Sequence, residues 1–164
     1  MPGIFALLEE EIGYLEKKNN SKLDSKTGNA GSANYTKYWR DIKPSYQGQP
    51  WCAAFISWCF MKAFGLDNAK KLLKHWPYVY CPTLGVLFVK NANPKVGDIV
   101  IFKHGGTFIH TGFVTKVAGV VPVRCRYLMP DNVRSRNHIF SDGYKLHSST
   151  NPHCNKYQIY IPLP

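Results

Sequence analysis

Between Pro50 and Gly65 the sequence runs Trp51-Cys-Ala-Ala-Phe-Ile-Ser-Trp-Cys-Phe-Met-Lys-Ala-Phe64, with only Ser57 and Lys62 clearly polar. The length of this apolar run predicts a buried helix rather than a strand, so the fold must supply cover around it. Gly65 is a natural stop for that helix, and Pro50 stiffens the chain just ahead of it.

The other segments divide into two kinds. Residues 4–18 place Ile4, Leu7, Leu8, Ile12 and Leu15 at a 3.6-residue period, with acids early and lysines late as a helix dipole prefers, which predicts an amphipathic first helix. Residues 19–32 are polar apart from Leu23 and read as an exposed loop leading to a short helix over 35–41. A second amphipathic pattern covers 66–76, and a short helix is expected over 82–89. Residues 91–98 read as a turn feeding a strand at 99–103; further strands are expected at 108–117, 120–127 and 157–161. Helices come first and strands second, which favours an α+β fold. At 164 residues, without an internal repeat or linker, the chain is expected to form a single domain.

Charge and cysteine usage limit the function classes. Lys and Arg exceed Asp and Glu to give a net charge of +11, which suits polyanionic partners such as nucleic acid or a bacterial wall. The basic residues are dispersed, without a basic helix or a nucleic-acid motif, so nucleic acid is not expected as a partner. No apolar run approaches the ~20 residues needed to cross a bilayer. The apolar stretch 4–8 meets Glu9-Glu10-Glu11 at once, so no signal peptide is expected. Five cysteines without a CxxC pair argue against a zinc ribbon and against a complete disulfide framework, so at least one thiol is expected to be reduced.

Cys52 is expected in the first turn of its helix, directly after the loop Gln49-Pro50-Trp51. The partial positive charge at a helix N-terminus favours the thiolate, and the thiolate is the nucleophile. Cys59, two turns further along the same apolar helix, is expected to stay neutral through desolvation. His110 stands at the start of a β-run, followed by Gly112, which leaves room for another backbone or a substrate. A nucleophile and a base carried on separate rigid elements meet the needs of covalent catalysis. Five other histidines (His75, His104, His138, His147, His153) mean that spacing alone does not select His110.

Three ordered motifs carry a family resemblance: Pro50-Trp-Cys52-Ala-Ala-Phe-Ile-Ser-Trp58, Pro94-Lys-Val-Gly-Asp98-Ile-Val-Ile-Phe102 and His110-Thr-Gly-Phe-Val-Thr-Lys-Val117. Over about residues 11–119 the chain resembles the CHAP domain of phage and bacterial wall hydrolases. The loop Asn29-Ala-Gly-Ser-Ala-Asn-Tyr-Thr-Lys-Tyr38 resembles endolysins of Gram-positive gut bacteria and their phages. The resemblance implies a papain-like fold with N-terminal helices packed on a C-terminal antiparallel sheet. It implies hydrolysis of peptidoglycan, either at the amide joining muramic acid to L-alanine or at a peptide bond; separately, a monomer without a cofactor is expected. In family terms Cys52 forms a thioester and His110 serves as its base. The backbone N–H of Cys52 is an expected oxyanion donor, Gln49 is a candidate second donor, and Trp51 is grouped with Gln49 as an oxyanion or substrate candidate. The enzyme would reach the wall after holin-type release or another non-Sec route.

The sequence departs from the family after Gly119. The family's orienting motif of Glu-Gly-Asn type, expected some fifteen to twenty residues after the histidine, is missing, and no Glu follows Glu16. Asp131 and Asn132 are the nearest candidates to hold the imidazole. Residues 120–164 are expected to be a divergent replacement, or a frame-shifted tail that has lost the family's last strands. Calcium, bound by some related domains in an Asp-rich loop, is not expected, because Asp24 stands alone among Ser, Lys and Asn. Two rival readings remain. One is a catalytically impaired module binding wall polymers through its cations and the rings Tyr35, Tyr38, Trp39 and Tyr46; the other is an interbacterial amidase toxin.

Overall fold

A computed structural model of the chain describes residues 3–89, 95–104, 106–118, 124–128, 146–147 and 158–161. These divide into two compact units, one up to Val79 and one from Tyr80 onward.

In the first unit, helix α1 (Ile4–Glu10) turns Ile4, Leu7 and Leu8 inward. It is shorter than the periodicity predicts. Glu11 ends it, its side chain engaged by Lys37 and Tyr38, and Gly13 then takes a φ of +79°, where a side chain would be strained. Lys17 is therefore not on a helix face. Its backbone bridges to Ala30 and Tyr35, and it is fully buried, with Nζ donating to the carbonyl of Lys26 at 2.9 Å and lying 4.5 Å from the Tyr14 ring centre.

Helix α2 (Lys37–Ile42) begins where it does because Thr36 caps it, its Oγ1 accepting from the N–H of Trp39 at 3.1 Å. A 3-10 turn (Pro44–Tyr46) follows. The apolar run then forms α3 (Cys52–Phe64), buried over nearly its whole length except for Met61, Lys62 and Phe64. Helices α1, α2 and α4 (Leu66–Leu73) all pack against it, which supplies the cover such a helix requires. Gly65, at φ +79°, separates α3 from α4, and Lys74 in the left-handed region ends α4 short of the expected Trp76. Ser57 ties α3 to the following chain, its hydroxyl donating to the carbonyl of Tyr78 and accepting from its N–H at 2.8 Å.

In the second unit α5 (Cys81–Leu87) precedes five strands: β1 (Ile99–His104), β2 (Thr107–Ala118), β3 (Arg124–Leu128), β4 (Leu146–His147) and β5 (Gln158–Ile161). They form one antiparallel sheet in the order β4-β3-β2-β1-β5. Asp98 feeds β1 through a turn in which its Oδ2 accepts from the N–H of Lys95 at 2.7 Å. Ile99, Val100 and Ile101 are all buried, and helix α5 packs on β2 and β1. The α+β class holds.

One expectation is corrected. Tyr38 and Trp39 are buried rather than displayed, because the short capped helix α2 turns both against α3 and the chain around it. Strands β3, β4 and β5 all lie beyond Gly119 and pair into the sheet. Among the described residues no helix is long and apolar enough to cross a membrane.

Candidate active site

Cys52 is the first residue of α3 and is 9% exposed. Trp51 stands at the cap position without any side-chain cap bond, and its carbonyl accepts the first helical bond, from the N–H of Phe55 at 2.9 Å. The leading N–H groups of a helix have no acceptor within it, so this end of α3 offers donors and a positive potential beside the thiol. Cys59, by contrast, is fully buried; desolvation, reinforced by the Glu11 carboxylate, pushes its thiol well above the ordinary range. That matches its expected role as an inert core thiol.

The loop ahead of Cys52 is held by two indoles. Trp39 Nε1 donates to the carbonyl of Gln49 at 2.7 Å, and Trp51 Nε1 donates to Glu16 Oε2 at 2.8 Å. The Trp51 ring is 4% exposed and packs 5.0 Å from the Tyr38 ring, with Phe55 and Tyr14 edge-on to it. The Trp51 ring thus lies in the core with its one polar atom engaged, next in sequence to the nucleophile candidate. Gln49 is exposed, its backbone pinned by Trp39 on one side and by its own N–H to the Tyr46 carbonyl at 3.0 Å on the other.

Behind this loop lies a charged and aromatic cluster that composition did not signal. Lys37 Nζ and Tyr38 Oη both reach Glu11, and Lys37 Nζ lies 4.9 Å and 5.1 Å from the ring centres of Tyr14 and Trp58. Trp58 Nε1 donates in turn to Asp41 at 2.9 Å. The only sequence signal was the interleaving of Tyr14, Tyr35 and Tyr38 with Glu and Lys, which reads equally well as a solvated surface.

His110 belongs to the second unit. It sits in β2 opposite Phe102 of β1, their rings 5.9 Å apart, and is 5% exposed. Both ring nitrogens are buried, with no hydrogen-bond partner among the described residues. Its neighbour Thr111 is satisfied through the Val100 carbonyl at 2.9 Å, and Gly112 lies opposite Val100. Asp131 and Asn132 lie outside the described residues, as do His138 and His153. His75 is exposed beside Tyr78, and His104 and His147 stand in β1 and β4.

Among the described residues, no group of three or more His, Cys, Asp and Glu side chains could hold a metal ion. Asp24 is paired with Arg40 at 2.7 Å.

The CHAP domain family model matches residues 44–124, a span that takes in Gln49, Cys52 and His110. This segment is a CHAP domain. The match starts later than the expected residue 11 and ends at Arg124, within β3. CHAP domains are papain-like and, as a family, act as amidases or peptidases on peptidoglycan. No curated protein and no solved structure gives a significant match to the chain.

Proposed function

We propose that this chain is a cysteine hydrolase that cleaves an amide bond of bacterial peptidoglycan, of endolysin type, with Cys52 as nucleophile and His110 as its base. The observation that carries the reading is Cys52 at the first position of α3 within the CHAP match, on a loop clamped by two indoles. His110 takes the thiol proton, and Cys52 Sγ attacks the scissile carbonyl, forming a C–S bond while the carbonyl π electrons move to oxygen. The Cys52 N–H, with Gln49 as second donor, stabilises that oxyanion. Collapse breaks the C–N bond, and His110 gives its proton to the departing amine. Water then attacks the thioester, His110 takes its proton, and the carboxylic acid leaves as the thiol is restored.

His110 enters this scheme as a buried base whose ring nitrogens have no partner among the described residues. Asp131 or Asn132 would orient it. The binding-only alternative is weakened by the burial of Tyr38 and Trp39, which removes two of its four rings from the surface.

The experiment is turbidity loss of purified Gram-positive peptidoglycan with wild type, Cys52→Ser and His110→Ala, followed by identification of the new amine ends. Clearing by wild type alone, with either substitution lowering the rate by about a thousandfold or more, supports the reading and names the bond cut. Clearing that survives Cys52→Ser overturns it.

A further inference from the structure

Of the two indoles that hold the loop ahead of Cys52, one depends on a carboxylate that the proposed chemistry does not use. Glu16 is 2% exposed, and its Oε2 accepts from Trp51 Nε1 at 2.8 Å. Its backbone is fixed too: the Glu16 carbonyl accepts from the N–H of Gly31 at 2.9 Å, and the N–H of the next residue, Lys17, donates to Tyr35 at 2.8 Å. The acceptor is thus stationary, tied into the bridged layer formed by residues 17, 30 and 35.

Trp51 carries the other half of the argument. Helices are usually fixed at their start by a Ser, Thr, Asp or Asn side chain closing on the first turn, and α3 has no such cap bond. Its first residue is oriented instead by the peptide of Trp51, and the Trp51 ring is held laterally by Glu16 and by the Tyr38 face. We propose that Glu16 is a positioning residue for Cys52. Through the indole of Trp51 it sets the orientation of the first turn of α3, and with it the direction of Cys52 Sγ and of the N–H groups offered to an oxyanion. The inference rests on Cys52 being the nucleophile.

The test uses the full chain as wild type, Glu16→Gln, Glu16→Ala, Trp51→Phe and Cys52→Ser. Gln keeps an oxygen that can accept the indole bond, Ala has none, and Phe keeps a ring while deleting the donor. Two readouts are taken on protein shown to be folded by circular dichroism. One is the pH profile of iodoacetamide alkylation at Cys52, located by peptide mass spectrometry; the other is kcat and KM on peptidoglycan.

Glu16→Ala and Trp51→Phe are expected to lower kcat by about ten- to a hundredfold with KM nearly unchanged, and to shift the midpoint of the alkylation profile. Glu16→Gln is expected to stay within about threefold of wild type, because the bond is retained. A folded Glu16→Ala with wild-type kcat and a wild-type alkylation profile overturns the proposal, since a merely structural role would lower the melting temperature and leave both unchanged. If Glu16→Ala does not fold, Trp51→Phe decides by the same criteria. Hydrolysis that survives Cys52→Ser would sink the nucleophile reading alone, and the alkylation profile, which needs no substrate, would still decide the role of Glu16.

Discussion

Lys37 Nζ stands 2.7 Å from Glu11 Oε1, and both side chains are largely buried. The Tyr38 hydroxyl donates to the other oxygen of the same carboxylate at 2.7 Å, so one acid satisfies two buried donors from α2. Removing one partner of such a set leaves an uncompensated charge, which typically costs about 3–5 kcal/mol. Glu11→Ala should therefore lower stability by about that amount in urea unfolding, and Glu11→Gln, which still accepts from Tyr38, by less. Equal midpoints for Glu11→Ala and wild type would show that the pair contributes nothing.

Alkaline pH should destabilise the fold before it denatures ordinary surfaces. Burial pushes the phenols of Tyr14 and Tyr78 from 10.0 up to about 12, and burial together with the Glu11 carboxylate holds Tyr38 well above its usual value. Because the unfolded chain loses these protons first, the stability they carry is intact below pH 10.0 and is lost as pH rises from there towards about 12. Melting temperature should fall steadily across that window, and Tyr78→Phe should flatten the slope. A flat profile for wild type would contradict the burial of all three rings.

A methyl group at position 85 should destabilise the second unit. Gly85 lies on the buried side of α5, and a Cβ there would meet Cε2 of Phe108 at 2.5 Å. Overpacking of this kind costs about 1–3 kcal/mol, so Gly85→Ala should lower the melting temperature. Adding Phe108→Leu should recover part of the loss, because the two substitutions touch the same space. Additive losses in the double variant would show that the ring is not what Gly85 accommodates.

Wall association should weaken with salt. The net charge of +11 includes the exposed lysines Lys70 and Lys71 on α4. Exposed charges are screened over about 10 Å at 0.1 M salt, so cosedimentation of Cys52→Ser with walls should fall steeply as salt rises through that range. Lys70→Glu with Lys71→Glu should weaken it further at low salt. Salt-independent cosedimentation would rule out attraction to anionic wall polymers.

The central helix was legible because fourteen nearly unbroken apolar residues between a proline and a glycine leave few alternatives, and Cys52 came with it. The three strands expected at 99–103, 108–117 and 157–161 were readable for the same reason, as β-rich runs between turn residues, and they appear as β1, β2 and β5. The first helix was overextended because Ile12 and Leu15 keep the helical period after Glu11 has left it for Lys37, a tertiary pull that periodicity does not contain. Tyr38 and Trp39 were misplaced because their lysine and arginine neighbours suggest solvent, whereas long cations can lie over rings at the edge of a core. The Glu16–Trp51 bond joins residues 35 positions apart, and no local pattern announces it.

Strand β1 has β2 along one side and β5 along the other, with Ile99, Val100 and Ile101 paired to Ile161, Tyr160 and Ile159. A product whose synthesis stopped after β3 would keep the whole CHAP match, yet one margin of β1 would present a bare row of amides and carbonyls. Such a margin recruits strands from neighbouring molecules, so prematurely terminated chains should accumulate as insoluble assemblies rather than as dispersed, inactive monomers. Strand β5 thus seals that margin, and solubility becomes a readout of whether β5 is present.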